Sequence, residues 1–173
     1  MTTVRAVSAA EPGLVDALAA LLVDAVDGGA SVGYLAPLAP ERARHYWSDV
    51  LSALGPELRL WVAEVDGTVA GSVQLAPSGR ENGRHRAEIQ RLLVHRAHRG
   101  KGIARALMAA AEDEARRLGR TMLVLDTQRG SAAEAIYGHL GWQRAGEIPD
   151  YAATPDGSLQ PTVYFYKQLV TTG

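Results

Sequence analysis

At 173 residues, with 47% apolar and 21% charged residues, the chain has the size and composition of one self-folding globular domain over 1–173, not of a disordered chain. Eighteen Lys plus Arg against nineteen Asp plus Glu leave a net charge of -1, which excludes a global positive field drawing the chain to nucleic acid or anionic lipid. With no cysteine it has no disulfide, thiolate metal site or thiol nucleophile, and neither a secretory-type N-terminus nor a membrane-length apolar run is present, so a soluble cytoplasmic protein is expected.

Thr2 to Val7 reads as a first strand. Ser8 with Glu11, followed by Pro12, predicts a capping-box start for a helix carrying Leu14, Leu18, Leu21, Leu22 and Val26, stopped by the glycines at 28 and 29. Pro40 opens a second helix with Tyr46, Trp47, Val50, Leu51 and Leu54. Two β-rich runs flank Asp66-Gly67, a pair suited to the positive φ values of a tight hairpin turn. The run RAEIQRLLV (86–94) predicts a strand, and strict alternation sets Glu88, Gln90, Leu92 and Val94 against Ile89, Arg91 and Leu93. A third helix carries Ile103, Leu107, Met108, Ala111, Ala115 and Leu118 up to Gly119, and a strand follows through Asp126. Ser131 with Glu134 predicts a second capping box, opening a helix through Leu140. A short strand is expected at Trp142–Ala145 and an aromatic one at Thr162–Leu169. The order predicts an α/β or α+β domain in which the strands on either side of the third helix are parallel.

The turn RAHRGKGIARALM, between the fourth strand and the third helix, holds Arg99, Lys101, Gly100 and Gly102 where a helix start leaves N–H groups unpaired. No Ser, Thr, Asp or Asn stands at that start to cap it. Spacing alone fits a basic structural turn as well as an anion site. A nucleotide-triphosphate loop is excluded because GKGIARAL lacks the second glycine and the following lysine and hydroxyl; a dinucleotide fingerprint fails because Arg105 stands where its third glycine belongs.

Arg99, Gly102 and Ala104 resemble the [QR]-x-x-G-x-[GA] acyl-CoA loop of the GNAT N-acetyltransferase superfamily. The segments AEIQRLLVHRAHRGKGIARALMAAAEDEARRLG and AEAIYGHLGWQRAGE are similar to that family's strand, loop and helix and to its last helix and strand, in the same order, over about half the chain. Within the family, GGASVGY, RAEIQRLLV, GSAAEAIY and GEIPDYAATPDGSLQPTVYFYK most resemble the tabtoxin resistance acetyltransferases. The resemblance implies a mixed, splayed sheet, acetyl-CoA between the two parallel strands, and a coenzyme A site formed by Leu92, Leu93, Val94, Arg99, Gly100, Lys101, Gly102, Ile103, Ala104 and Ser131. It also implies Glu88 and Asp126 as the carboxylates that take the amine proton, and Tyr137 beside the departing thiolate. Read without the resemblance, Glu88 suits an ion pair with Arg86 or Arg91, Asp126 a turn cap, and Tyr137 an aromatic packed near Leu140 and Trp142.

Asp27, Ser31, Tyr34, Tyr151 and Asp156 fall in segments that the resemblance makes substrate-facing. The Asp27–Tyr34 loop is expected to close over the acceptor. His95 and His98 lack neighbouring ligands, so no metal is expected. The implied activity is acetyl transfer from acetyl-CoA to a small amino-acid-like or antimetabolite amine, tabtoxinine-β-lactam among them, giving antibiotic resistance. A protein or peptide amine acceptor and a non-catalytic acyl-CoA sensor are the alternatives, and a monomer or homodimer is expected.

Overall fold

The computed structural model describes residues 1–170. Seven strands form one sheet: β1 (Thr2–Val7), β2 (Arg59–Val65), β3 (Thr68–Pro77), β4 (Arg86–Val94), β5 (Met122–Gln128), β6 (Gln143–Ala153) and β7 (Leu159–Gln168). Their spatial order is β1-β2-β3-β4-β5-β7-β6, and among the described residues only β4 and β5 are parallel neighbours. Four helices flank the sheet: α1 (Leu14–Asp27), α2 (Pro40–Ala53), α3 (Ile103–Arg117) and α4 (Ala132–His139).

The mixed sheet matches the expected fold class, and β1 and β4 begin and end where the sequence put them. At the β2–β3 hairpin, Asp66 and Gly67 take φ values of 49° and 81°, as the Asp-Gly pair requires. Three expectations need correction. Helix α1 starts at Leu14 behind Gly13, not at a Ser8 capping box, because the Glu11 carboxylate is engaged by Arg5 of β1 through two hydrogen bonds of 2.8 and 2.9 Å. Helix α2 stops before Leu54. The short strand at Trp142–Ala145 is instead an 11-residue β6, which takes Tyr151 out of a loop and into a hairpin with β7.

The sheet separates two cores. On one face α1 and α2 bury Leu18, Leu22 and Trp47 against Leu60, Val62 and Leu93; on the other, α3 buries Ile103, Leu107 and Met108 against Val73, Ile89 and Leu123. Truncating a fully buried side chain such as Leu107 would cost about 2–5 kcal/mol. A partly buried ion pair ties α3 to β7. Lys167 Nζ reaches both oxygens of Glu112, at 3.1 and 2.9 Å, and also donates to the Leu140 carbonyl at 2.7 Å. Tethering α3, β7 and the end of α4 in this way fixes the walls around a gap between β4 and β5.

Candidate active site

The gap arises from how β4 and β5 part. They pair only from Arg86–Glu88 with Met122–Val124. Beyond that point β5 continues against β7, while β4 continues against β3. A cleft of about 1220 Å³ opens between the diverging strands, lined by Ile89–Val94 on one side and Leu125–Gln128 on the other.

Within the cleft, β4 departs from strict alternation. Gln74 pairs with Gln90 and Ser72 with Leu93, so two steps along β3 face three along β4, a bulge centred on Arg91 at φ 49°. Buried Ser72 donates to the Arg91 carbonyl at 3.4 Å. The bulge inverts the facing of the residues beyond it. Leu93 joins the α1–α2 core, whereas Leu92 and Val94 pack toward α3, so the predicted grouping of Leu92 and Val94 with Glu88 does not hold. It also turns Arg91 away from Ile89 and onto Tyr46 of α2, whose hydroxyl accepts from Arg91 Nε at 3.0 Å.

The loop after β4 makes a single 3-10 turn at Arg96–His98, capped by His95 Nδ1, which accepts from the Ala97 N–H at 3.1 Å. Arg96 then docks on α1: its backbone N–H and its Nε donate to the two Asp24 oxygens at 3.0 and 2.9 Å. Burial opposes ionisation of Asp24, but these hydrogen bonds and the charges of His95 and Arg96 prevail and hold its carboxyl below its ordinary value. Gly100 and Gly102 take φ values of 74° and 78°, and nothing among the described residues would touch a Cβ at either. Backbone conformation, not crowding by neighbouring protein atoms, is therefore what demands glycine there. Helix α3 begins directly after Gly102 with no side-chain cap, leaving its first N–H groups uncapped in a turn where Gly102, Ile103 and Ala104 line the cleft. Arg99, Gly100, Gly102, Ile103 and Ala104 line the cleft; Lys101 does not, and its exposed ammonium lies 3.4 Å from His98 Nδ1.

Glu88 and Asp126 both line this cleft from opposite strands. Neither makes an ion pair among the described residues, so the expected pairing of Glu88 with Arg86 or Arg91 is not formed. Asp126 accepts from Thr162 Oγ1 of β7 at 2.8 Å and caps no turn. Their fields converge on Tyr164, whose pKa is pushed up to about 12 by its hydrogen bond with Tyr151, then burial, then the charges of Asp126, Tyr151 and Glu88. Tyr137 on α4 is 4% exposed and packs against Trp142 and Phe165, with ring centroids 5.9 and 5.7 Å away. It also lines the cleft. Burial foremost, and Asp126 second, push its pKa well above that of an ordinary tyrosine.

Ser131 lines the cleft while capping α4: its Oγ accepts from the Glu134 N–H at 3.2 Å, and the Glu134 side chain returns to the Gly130 N–H. Ser31 and Tyr151 line the cleft, but Asp27, Tyr34 and Asp156 do not. Asp27 is exposed at the end of α1, Tyr34 packs edge-on against Tyr46, and Asp156 holds the β6–β7 turn by accepting from Thr154 and Ser158. The loop after α1 lines the cleft at Gly28–Gly33 and is tied to that turn farther on, its Ala36 N–H donating to the Pro155 carbonyl at 2.9 Å. Tyr46, Gln74 and Arg91 were missed as cleft residues: the first read as part of the second helix's apolar pattern, the second as part of a strand, the third as sharing a strand face with Ile89 and Leu93. The described residues contain no cluster of three His, Cys, Asp or Glu side chains suited to a metal, and no helix long and apolar enough to cross a membrane.

Comparison with known proteins agrees with this architecture. Residues 21–142 match the acetyltransferase (GNAT) family. An N-acetyltransferase encoded between hisH and hisA in Azospirillum brasilense is 37% identical over 142 residues, 73% of this chain and 83% of that protein. Rat N-acetyltransferase 8 is 40% identical over a shorter stretch of 91 residues, 50% of this chain and 40% of its own length. Among solved structures, the ribosomal-protein-alanine N-acetyltransferase of Brucella melitensis superposes with a TM-score of 0.78 at 26% identity, covering 96% of this chain and 99% of that one. Salmonella typhimurium yncA, solved with acetyl-CoA, gives a TM-score of 0.78 at 22% identity over 100% of this chain and 96% of its own, a likeness of fold. With its splayed parallel pair, glycine-led α3 and matched residues 21–142, the chain belongs to the GNAT family of N-acetyltransferases.

Proposed function

We propose that the protein transfers acetyl from acetyl-CoA to the primary amine of a small amino-acid-like acceptor, both bound at once in the cleft, as one catalytic domain acting in the cytoplasm as a monomer or homodimer. The observation that carries this reading is that two carboxylates on diverging strands, Glu88 and Asp126, open into one cleft beside a helix start that no side chain caps.

Acetyl-CoA supplies an activated thioester. The residues fit it: the Arg99–Ala104 turn offers unpaired N–H groups and the Arg99 charge to a pyrophosphate, and the gap between β4 and β5 offers a slot for its arm. The bulge at Arg91 supports Leu92–Val94 as the backbone donors for the thioester oxygen. Glu88 and Asp126, directly or through water, take the proton that an ammonium must lose before it attacks. Tyr137, kept protonated by burial, donates to the departing thiolate. Ser31 and Tyr151 contribute to the acceptor end; Lys101, Asp27, Tyr34 and Asp156 lie outside the cleft lining and are given no direct role.

Tabtoxinine-β-lactam, and with it an antimetabolite-resistance role, is a candidate acceptor from the sequence resemblance. The likeness to a ribosomal-protein-alanine N-acetyltransferase favours a peptide amine as the second reading. The loop after α1, which lines the cleft at Gly28–Gly33 and is tied to the β6–β7 turn through Ala36 and Pro155, favours the small acceptor. The test is to incubate the protein with acetyl-CoA and panels of amino acids, amine antibiotics and peptides, following thiol release and acetyl-CoA binding. Turnover on a free small amine is expected. Preference for peptides would select the second reading, and binding without turnover on any amine would make the protein an acyl-CoA sensor.

A further inference from the structure

We infer that Arg91 and Tyr46 form a subsite for the acceptor's acid group, so that the favoured acceptor is an amine carrying a carboxylate or another oxoacid rather than a plain amine or polyamine. The inference rests on the acetyl-transfer reading and names the acceptor class.

Arg91 is half-buried in the cleft wall, and no carboxylate lies within ion-pair range of it among the described residues. A guanidinium on a cleft wall with no carboxylate partner is available to an incoming anion. Its Nε is committed to the Tyr46 hydroxyl at 3.0 Å, and its carbon lies 5.2 Å from the Tyr46 ring centre, so the guanidinium is fixed in orientation. Its remaining N–H groups donate to nothing among the described residues, and a planar guanidinium fork matches the two oxygens of a carboxylate. One side of the fork lies against Gly33, where a Cβ would sit 3.2 Å from the nearer Arg91 Nη, so the absence of a side chain there leaves the guanidinium room.

Tyr46 completes the subsite. Its oxygen accepts from Gln74 Nε2 and from Arg91 Nε, both at 3.0 Å. With its lone pairs occupied, the phenol's own O–H is left to donate outward into the cleft that Tyr46 lines. Arg91 and Tyr46 therefore present donors together on the α1–α2 wall. Glu88 and Asp126 supply negative charge elsewhere in the same cleft, so one ligand with an ammonium end and an acid end would satisfy both.

The test measures acetyl transfer to L-amino acids, each beside its own carboxamide, with wild type, Arg91→Gln, Arg91→Lys and Tyr46→Phe. Wild type is expected to show a KM about 10- to 100-fold lower for acid than for amide, the scale of hydrogen bonds to a charged group. Arg91→Gln raises the KM of the acid to the level of its amide; Arg91→Lys restores part of the difference, and Tyr46→Phe loses part of it. Equal acid and amide kinetics in wild type would overturn the subsite and leave acetyl transfer standing. So would an equal loss of kcat on both acceptors in the variants, which marks a structural role. Failure of wild type on every amine would overturn both readings.

Discussion

The α3 side of the cleft is made of backbone, whereas the α1–α2 side is made of side chains from separate elements. Between β4 and α3, conformation does the work: two glycines at φ 74° and 78°, an uncapped helix start, and a loop pinned to α1 through Arg96 and Asp24. Across the cleft, Tyr46 comes from α2, Gln74 from β3 and Arg91 from β4, joined by two 3.0 Å hydrogen bonds. A backbone site suits a ligand part common to every reaction, such as a pyrophosphate. A side-chain site can be retuned one residue at a time and suits the variable acceptor.

The largest effect should fall between the two sides. Glu88→Gln or Asp126→Asn is expected to lower turnover about 100-fold or more, with acetyl-CoA affinity preserved in a binding titration. A variant that keeps full rate removes that carboxylate from the chemistry.

Next comes a test of the backbone side alone. Gly102→Val puts a β-branched residue at φ 78°, where the strain costs about 1–2 kcal/mol. The expected reading is an acetyl-CoA KM raised about 5- to 30-fold with the acceptor KM nearly constant. A matching rise in both constants would erase the contrast between the sides.

Tyr137→Phe should lower turnover about tenfold, less than the about 100-fold or more typical of a general acid, because a departing thiolate, whose thiol pKa is about 8.5, leaves with little protonation. Because burial raises the Tyr137 pKa, its neutral form persists above about pH 10, so its contribution is expected to be level up to that point. A rate decline centred below about pH 10 that disappears in Tyr137→Phe would contradict this.

The smallest effect concerns the link between the sides. Asp24→Asn is expected to cost about 1 kcal/mol of stability, discounted because Arg96 is half exposed. Asp24 has a folded pKa below its unfolded one, so its contribution is complete above about pH 3.9 and lost as pH falls through the folded value. Melting curves of wild type and Asp24→Asn should therefore converge in acid. A difference persisting there would mean that the charge is not what holds the loop.

Much of this was legible in the chain order. The Asp66-Gly67 turn, the β4 limits, the Ser131–Glu134 box and the uncapped α3 start are local, set by φ preferences and side chains within a few residues. The Ser8 box failed because Arg5, near in sequence but on a different element, claimed Glu11. The length of β6 was hidden because its exposed, polar stretch carries no alternation and is held by pairing with β7.

By itself the sequence determined the family's loop, the parallel crossover around α3 and the two carboxylates' positions along their strands, because each depends on short-range spacing. Only the tertiary structure decided which face Arg91 and Leu93 occupy and which loop residues reach the cleft. A bulge is a mismatch between two strands, and one extra residue on β4 reverses every side chain after it. That mismatch exists only when β3 and β4 are side by side, and it turns Arg91 from the α3 core toward Tyr46.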